Sequence, residues 1–502
     1  KSRKTADVRR KKTSPSSLRM SIKLKKGEVY MNIIQHVYEK FLLVGEKIIK
    51  TLDGENTFPV FVEQLEEILN GLERDIYTDV LEEMDKKIYS DKQERKDWRV
   101  VQKDCERTIV GTFGEITYKR RYYENKITGE KAYLVDKIMG IDKYERIDLN
   151  LRGDILDLST MLSYQKSTQE LKREGANCNI SRQTVMNTIR KTDNLQTYEK
   201  PKEKKKAEVL YIEADEDHIH LQGSKKSGQV KLVYIHEGLN SITKSRNSLI
   251  NVKYFAGVRD GKEEIEKLWM QVWSYIKEAY DEDSIKHIFV SGDGAKWIKD
   301  SKEYLPNVVY VLDLFHLQKY ITAALKDDKK TKRALLKALF KQDRDKANEI
   351  LNQKLKELNL QNPENPITKC QKYINSNWDG IRAYSIYKEQ VIGCSAESHV
   401  SHILSERLSR GPISWSEQSA DKIAQLRAIK ANGISIKKAI LKQRYDALKP
   451  IKLPKQTLYK ERQKIKKLKQ AASERITNLP VLSYKKTFTS MAIKSLLSQS
   501  VI

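Results

Sequence analysis

Apolar residues recur three and four positions apart through residues 27–98, as in FVEQLEEILNGLERDIYTDVLEEMDKKI. That spacing gathers them on one side of a helix, so the stretch is expected to be helical. From residue 99 the period shortens to two. RTIVGTFGEITYKRRYYENKITGEKAYLVDKIM alternates β-branched and aromatic residues with polar ones, which predicts a β-hairpin or meander within 99–150, turning at ITGEK. Helical spacing returns over 151–197. There SYQKSTQELKREGANCNISRQTVMNTIRKT reads as a helix to Glu174, a break at Gly175, and a second helix with Ser181 as its N-cap.

A charged stretch with one proline, YEKPKEKKKA at 198–207, marks a linker. Beyond it, strand-like runs at EVLYIEAD, QVKLVYIHEG and NVKYFAGV precede a helix at KEEIEKLWMQVWSYIKEAY. A strand at KHIFVSGDG, a helix from Ala295 to Tyr304 and a strand at NVVYVLDLF follow. Three strands, helix, strand, helix, strand is the element order of a ribonuclease H-like α/β core, expected over 208–316. Residues 317–390, rich in Lys, Leu and Ala, predict an all-α insertion. Residues 391–430 would complete the core, and 431–502 would form a basic helical C-terminal region.

Charge changes this picture by naming a partner. The 502 residues hold 95 Lys and Arg against 68 Asp and Glu, a formal net charge of +27, which points to a polyanion and by default to nucleic acid. The excess is local. Residues 1–26 carry 11 basic residues against Asp7 alone and read as a disordered arm; residues 421–470 carry 16 basic and 3 acidic residues. The other 426 residues are nearly neutral at +4. No apolar run approaches the roughly 18 residues a membrane span needs. Cys105, Cys178, Cys370 and Cys394 are too scattered for a disulfide framework or a zinc knuckle, so a cytoplasmic, nucleoid-associated protein is expected.

Candidate chemistry lies in two places. In the helix-turn-helix, Arg182, Gln183, Asn187 and Arg190 would face the major groove of DNA while Val185 and Ile189 pack inward. Lys119, Arg120 and Arg121, beside Tyr122 and Tyr123, form a second candidate DNA surface. In the α/β region Asp215 ends an apolar strand run, with Glu213 and Asp217 on the same face by period two, and Asp217 is the alternative first carboxylate. Asp293 follows the fourth strand in SGDG. Strand-end carboxylates of one sheet can converge on divalent cations, which take hard oxygen ligands.

Asp215 in YIEADEDHIHLQ, Asp293 in VSGDGAKWI, DLFH at 313–316, and Glu397 in GCSAESHVSHILSERLSRGPISWS stand in that order. Together they resemble the DDE transposases, and most closely the ISLre-type insertion-sequence transposases, similar to the Mutator-like group. There a strand Asp, an Asp followed by Gly, a DxxH or CxxH motif, a helical insertion and a helix-borne Glu succeed one another. The resemblance spans residues 30–440. It implies that Asp215, Asp293 and Glu397 bind two Mg²⁺ ions, for which Mn²⁺ may substitute, with His316 in support of the active site. The implied reaction is cleavage of DNA at terminal inverted repeats, then strand transfer into target DNA by a homodimer or higher oligomer. The 27–98 helices or the insertion are candidates for that assembly. Glu406, on the far side of the Glu397 helix, is the weaker choice for the third carboxylate. Two other readings stay open: a DNA-binding regulator with an inactive catalytic domain, and a ribonuclease H-like nuclease such as a resolvase.

Overall fold

Helices α1 (Glu28–Leu52) and α2 (Phe58–Ser90) run antiparallel, with His36 beside Asp79 and Lys40 beside Asp75. The structure, a computed structural model, describes residues 28–447 except 94, 174–179, 225–226, 244–245, 360–361 and 363. The basic arm 1–26, the Gly175 break, Cys178 and everything after 447 lie outside the described residues. The chain divides into two units, Lys1–Arg444 and Tyr445–Ile502, and the architecture below belongs to the first.

β1 (Trp98–Gly111) and β2 (Gly114–Asn125) form a long antiparallel hairpin, and a two-residue β3 (Lys131–Ala132) adds to the edge of β2. The main turn falls at Thr112–Phe113, between the paired Gly111 and Gly114; ITGEK lies in the longer second connection, from β2 to β3. Every second side chain of β2 packs inward, Ile116 and Tyr118 meeting Leu81 of α2 and Val135 of α3 (Leu134–Met139). This packing overturns part of the predicted basic surface. Arg120 is buried and pairs with Asp136, which also receives Arg107 Nη1 at 2.6 Å and the Tyr118 hydroxyl at 2.7 Å. Arg121 pairs with buried Asp85 of α2. Of the three cations only Lys119 is exposed, because strand alternation turned its neighbour Arg120 into the core, where a charge persists only when paired.

Helices α4 (Leu149–Ser159), α5 (Tyr164–Arg173) and α6 (Arg182–Arg190) follow, α4 capped by Asp148 and α6 by Ser181. Val185 and Ile189 are fully buried, whereas Arg182, Gln183 and Asn187 are exposed. Arg190 does not join them: its guanidinium donates to the hydroxyls of Ser416 at 2.8 Å and Ser419 at 3.1 Å.

A five-stranded mixed sheet forms the centre, in the order β10–β9–β4–β5–β8. Its strands are β4 (Val209–His220), β5 (Ser227–His236), β8 (Lys253–Val258), β9 (His287–Gly292) and β10 (Val308–Leu312). The short pair β6 (Leu239–Thr243) and β7 (Arg246–Leu249) stands apart. β5 runs antiparallel to both β4 and β8; β9 and β10 run parallel to β4. One face packs on α7 (Lys262–Ala279) and α8 (Lys296–Lys299) through Ile212, Val233, Trp269 and Ile298. Trp297 and Trp415 are both buried and serve packing.

Helices α9 (Leu314–Leu325), α10 (Lys329–Phe340), α11 (Arg344–Glu357), α12 (Pro366–Ser376) and α13 (Trp378–Ile386) share an apolar core that includes Leu312 of β10. The other face of the sheet is covered by α14 (Ala396–Val400), a π-helical turn (Ser401–Ser405), α15 (Glu406–Leu408) and α16 (Glu417–Ala431). α17 (Ile436–Ala447) adds Ile436 and Ile440 to the same core, which also takes in Leu151, Ile155, Val185 and Ile189. The helix-turn-helix helices are therefore not a separate module, and the basic stretch from 421 is not a tail up to Arg444. Three of its cations are engaged internally, Lys430 with Asp157, Lys437 with Asp154 and Arg444 with Asp142.

Because Asp136 serves two arginines and a tyrosine out of water, Asp136→Ala should cost about 3–5 kcal/mol. Thermal unfolding followed by circular dichroism should show a lowered Tm for it and for Arg120→Ala, and none for Lys119→Ala.

Candidate active site

β4 and β9 pair in parallel up to Glu213 opposite Ser291, and β9 and β10 up to Gly292 opposite Leu312. Continuing those registers sets Asp215, Asp293 and Asp313 side by side across three neighbouring strands. Asp293 and Asp313 stand just past the ends of β9 and β10, and Asp215 in the middle of β4, which runs on beside β5 to His220. The Asp313 amide donates to the Gly292 carbonyl at 2.8 Å, which holds the two strand ends together.

Each carboxylate is fixed by local backbone. Asp215 Oδ1 accepts from the Glu216 amide at 2.8 Å, Asp293 Oδ1 from the Ala295 amide at 2.8 Å, and Asp313 Oδ1 from the Phe315 amide at 2.9 Å as the N-cap of α9. Gly294 explains the glycine that follows Asp293. Its φ is +100°, and a Cβ there would lie 2.5 Å from Asn377 Oδ1. From α12, Tyr373 donates its hydroxyl to the Asp293 carbonyl at 2.5 Å, so the helical insertion braces the Asp293 loop.

Asp313 Oδ2 bonds His316 Nδ1 at 2.9 Å. That bond raises the imidazole's affinity for its proton, the charges of Asp215 and Asp293 raise it further, and partial burial opposes them. Asp215 is pushed up to about 7. Burial is the first cause, and the charges of Asp293 and Glu397 add to it, while the Glu216 amide and His316 pull the other way. The mutual influence of Asp215, Asp293, His316 and Glu397 is what marks them as one cluster. Glu397 itself is exposed, in the first turn of α14. Glu406 belongs elsewhere: it bonds His402 at 3.3 Å and pairs with Arg410 and Arg427.

The residue that ties Glu397 to the sheet is Glu213, noted in sequence only for sharing a face with Asp215. It is 2% exposed. It accepts from the Tyr234 hydroxyl at 2.6 Å, from His236 Nε2 at 3.0 Å, and from both the amide and the hydroxyl of Ser395, the hydroxyl at 3.1 Å. Burial raises the carboxyl, but the bonds from His236, Tyr234 and Ser395 outweigh it and leave Glu213 more acidic than usual. The sequence carried a signal for this group, an acid inside an otherwise apolar strand and a histidine at the end of the next one. His236 is fully buried there.

Among the described residues no three or more His, Cys, Asp or Glu already form an ion cage. The donor chemistry nonetheless suits a hard divalent cation. Asp215 is pushed up first by burial and then by neighbouring negative charge, which a cation would offset, and Asp217 Oδ2, on the same strand face, is buried without a partner among the described residues.

A family model for an uncharacterised protein family, UPF0236, matches residues 54–445. A UPF0236 protein of Caldanaerobacter subterraneus subsp. tengcongensis, whose name joins eleven locus designations, is 35% identical over 424 residues, 84% of this chain and 88% of the relative. Another from that organism, joining four designations, is 34% identical over 460 residues, 89% of this chain and 95% of the relative. A UPF0236 protein of Streptococcus gallolyticus, from the vanSb 3′ region, is 25% identical over 388 residues, covering 75% of this chain and 80% of the relative. No described helix is long and apolar enough to cross a membrane.

A carboxyl held near 7 in the fold and near 3.8 as a free side chain keeps its proton where the unfolded chain has lost it. Its folded pKa is raised, so its contribution to stability falls as pH rises from about 4 to about 7. With divalent cations chelated, Asp215→Asn should gain in Tm over the parent from about pH 5 to about pH 7 and hold a constant lead above that. A pH series of calorimetric scans checks it, and a lead that shrinks over that range contradicts the raised carboxyl.

Proposed function

We propose that this chain, which belongs to the UPF0236 family, is a DDE transposase that cleaves the ends of an insertion sequence and joins the freed 3′-hydroxyls to target DNA. One observation carries the reading: Asp215, Asp293 and Asp313 stand side by side across three neighbouring strands, with Asp215 under the charges of Asp293, Glu397 and His316. On this reading the central sheet is a ribonuclease H-like core. What supports that is three antiparallel strands followed by two parallel ones, with β4, the first of the five in sequence, at the centre. A protein name spanning eleven designations in one organism supports a gene that multiplies within its genome.

Asp215, Asp293 and Glu397 would hold the divalent cations, Mg²⁺ or Mn²⁺, which when bound supply an activated water and stabilise the leaving oxygen of an in-line displacement. The chain's own residues do the rest. Asp215 sheds its proton when positive charge arrives. His316, whose hold on its proton Asp313 strengthens, would when protonated offset part of the negative charge that otherwise repels a phosphate, with its Nε2 as a donor. Glu213 fixes the start of α14, so that Glu397 stays over the strand carrying Asp215. Arg182, Gln183 and Asn187, exposed on α6, meet the element ends in the major groove, and Arg190 holds α6 against Ser416 and Ser419.

The test is a cleavage and joining assay on DNA carrying the sequences that flank the gene, with Mg²⁺ or Mn²⁺. Asp215→Ala, Asp293→Ala and Glu397→Ala should each lower strand cleavage by at least about 10³-fold, roughly 4 kcal/mol at the transition state, with DNA binding retained, whereas Glu406→Gln stays active. Binding without cleavage in the parent protein identifies a regulator instead, hydrolysis without joining a nuclease, and full activity in Asp293→Ala removes the assigned site.

A further inference from the structure

Helix α1 is turned inside out. The side it lays toward α2 is the one bearing His36, Lys40, Val44, Lys47 and Thr51, all half-buried, with His36 and Lys40 reaching Asp75 and Asp79. On a wheel of about 100° per residue that stripe lies about 140° from the one formed by Tyr38, Phe41, Leu42, Ile48, Ile49 and Leu52. All six are exposed, Phe41 to 74% and Leu52 to 80%. None of the described side chains of α1 is fully buried. An amphipathic helix normally does the opposite, and an apolar stripe this long is rare on a monomer's surface.

We infer that α1 is a dimerisation helix whose occupant is α1 of a second copy of this chain. The spacing is that of a self-pairing seam. Tyr38, Phe41, Gly45, Ile48 and Leu52 alternate three and four apart, and the sequence extends the alternation back to Ile34 and Met31. Charge permits the same helix to meet itself: residues 28–52 hold three Glu and three Lys, a net of zero in a chain of +27, so neither a polyanion nor a strongly acidic protein is drawn to it. Area permits it too. At roughly 150–200 Å² per large side chain, the six leave on the order of 700 Å² open, close to the roughly 800 Å² that each partner gives to a stable interface. Gly45 is a gap in the seam, since nothing lies within 4 Å of where its Cβ would stand.

This inference stands whether or not the catalytic reading holds. The measurement is sedimentation equilibrium of the full chain, free of nucleic acid and at high salt, with hydrogen exchange of residues 35–52 on the same samples. The parent protein should be a dimer at micromolar concentration. The double substitution Phe41→Glu with Ile48→Glu should weaken the dimer at least 100-fold with helicity retained, and Gly45→Leu should tighten it about tenfold by filling the gap. A monomeric parent overturns the proposal, and slow exchange of 35–52 in that monomer identifies a segment of its own chain as the cover. A dimer indifferent to both variants also overturns it, by placing the interface elsewhere.

Discussion

A carboxylate in the middle of an apolar strand is tolerable only when donors meet its oxygens. Glu213 has Tyr234 and His236 from the neighbouring strand, and the amide and hydroxyl of Ser395, which lies 182 residues downstream. Tyr234 also bonds Ser395 at 2.9 Å, so strand, neighbour and loop close into one network. Its consequence is geometric. Ser395 immediately precedes α14, and Glu397 stands two residues further on. The strand that displays Asp215 therefore also sets where Glu397 begins, and five helices can be inserted between them without loosening the relation. Removing any donor would leave a buried charge short of a partner, which costs more than the bond itself contributes.

How much of this was legible from residues alone differs by element, for physical reasons. The alternation of strands and helices after residue 208, and the helical run of the insertion, were readable because each element buries a face and so carries a period. Asp293 stood out as a candidate because it follows the end of β9, where the period breaks. Asp215 stood out instead as an acid inside an apolar run, and β4 in fact continues past it to His220. The hairpin turn was misplaced because ITGEK looks more like a turn than GTFG does, while the positive φ of Gly114, at 110°, was invisible. Arg120, Arg121 and Arg190 were misassigned to DNA because a cation's partner can lie far away in sequence. Asp136, Asp85 and Ser416 become their neighbours only after folding. The Glu213 network was half-visible, its acid and histidine apparent but Ser395 not.

The same reasoning redistributes the net charge. Read linearly, residues 421–470 are a basic appendage. In the fold the stretch to Arg444 contains Ile423, Leu426, Ile429, Ile436 and Ile440, buried against β8 and the helices before the sheet. Its lysines and arginines project from the edges of that packing to meet Asp154, Asp157 and Asp142. Composition counts a cation once, whether it faces solvent or closes an ion pair. Cations held in this way contribute little to the field that a polyanion feels at a distance.

That redistribution sharpens the meaning of the acidic row. With cations in excess, an acid in this chain is readily paired, and buried Asp85, Asp136 and Asp148 have each found an arginine or a helix cap. Among the described residues Asp215, Asp293 and Glu397 form no ion pair with Lys or Arg, although Asp215 is buried deeply enough to hold its proton near neutrality. The nearby positive group is His316, and Asp313 already claims part of its charge. A fold that pairs or caps those buried acids and leaves buried Asp215 beside half-buried Asp293 and exposed Glu397 with no Lys or Arg partner among the described residues concentrates negative charge at one place on the sheet. Positive charge arriving there would lower the cost of ionising Asp215, which is the physical sense in which the proposed site is suited to a cation.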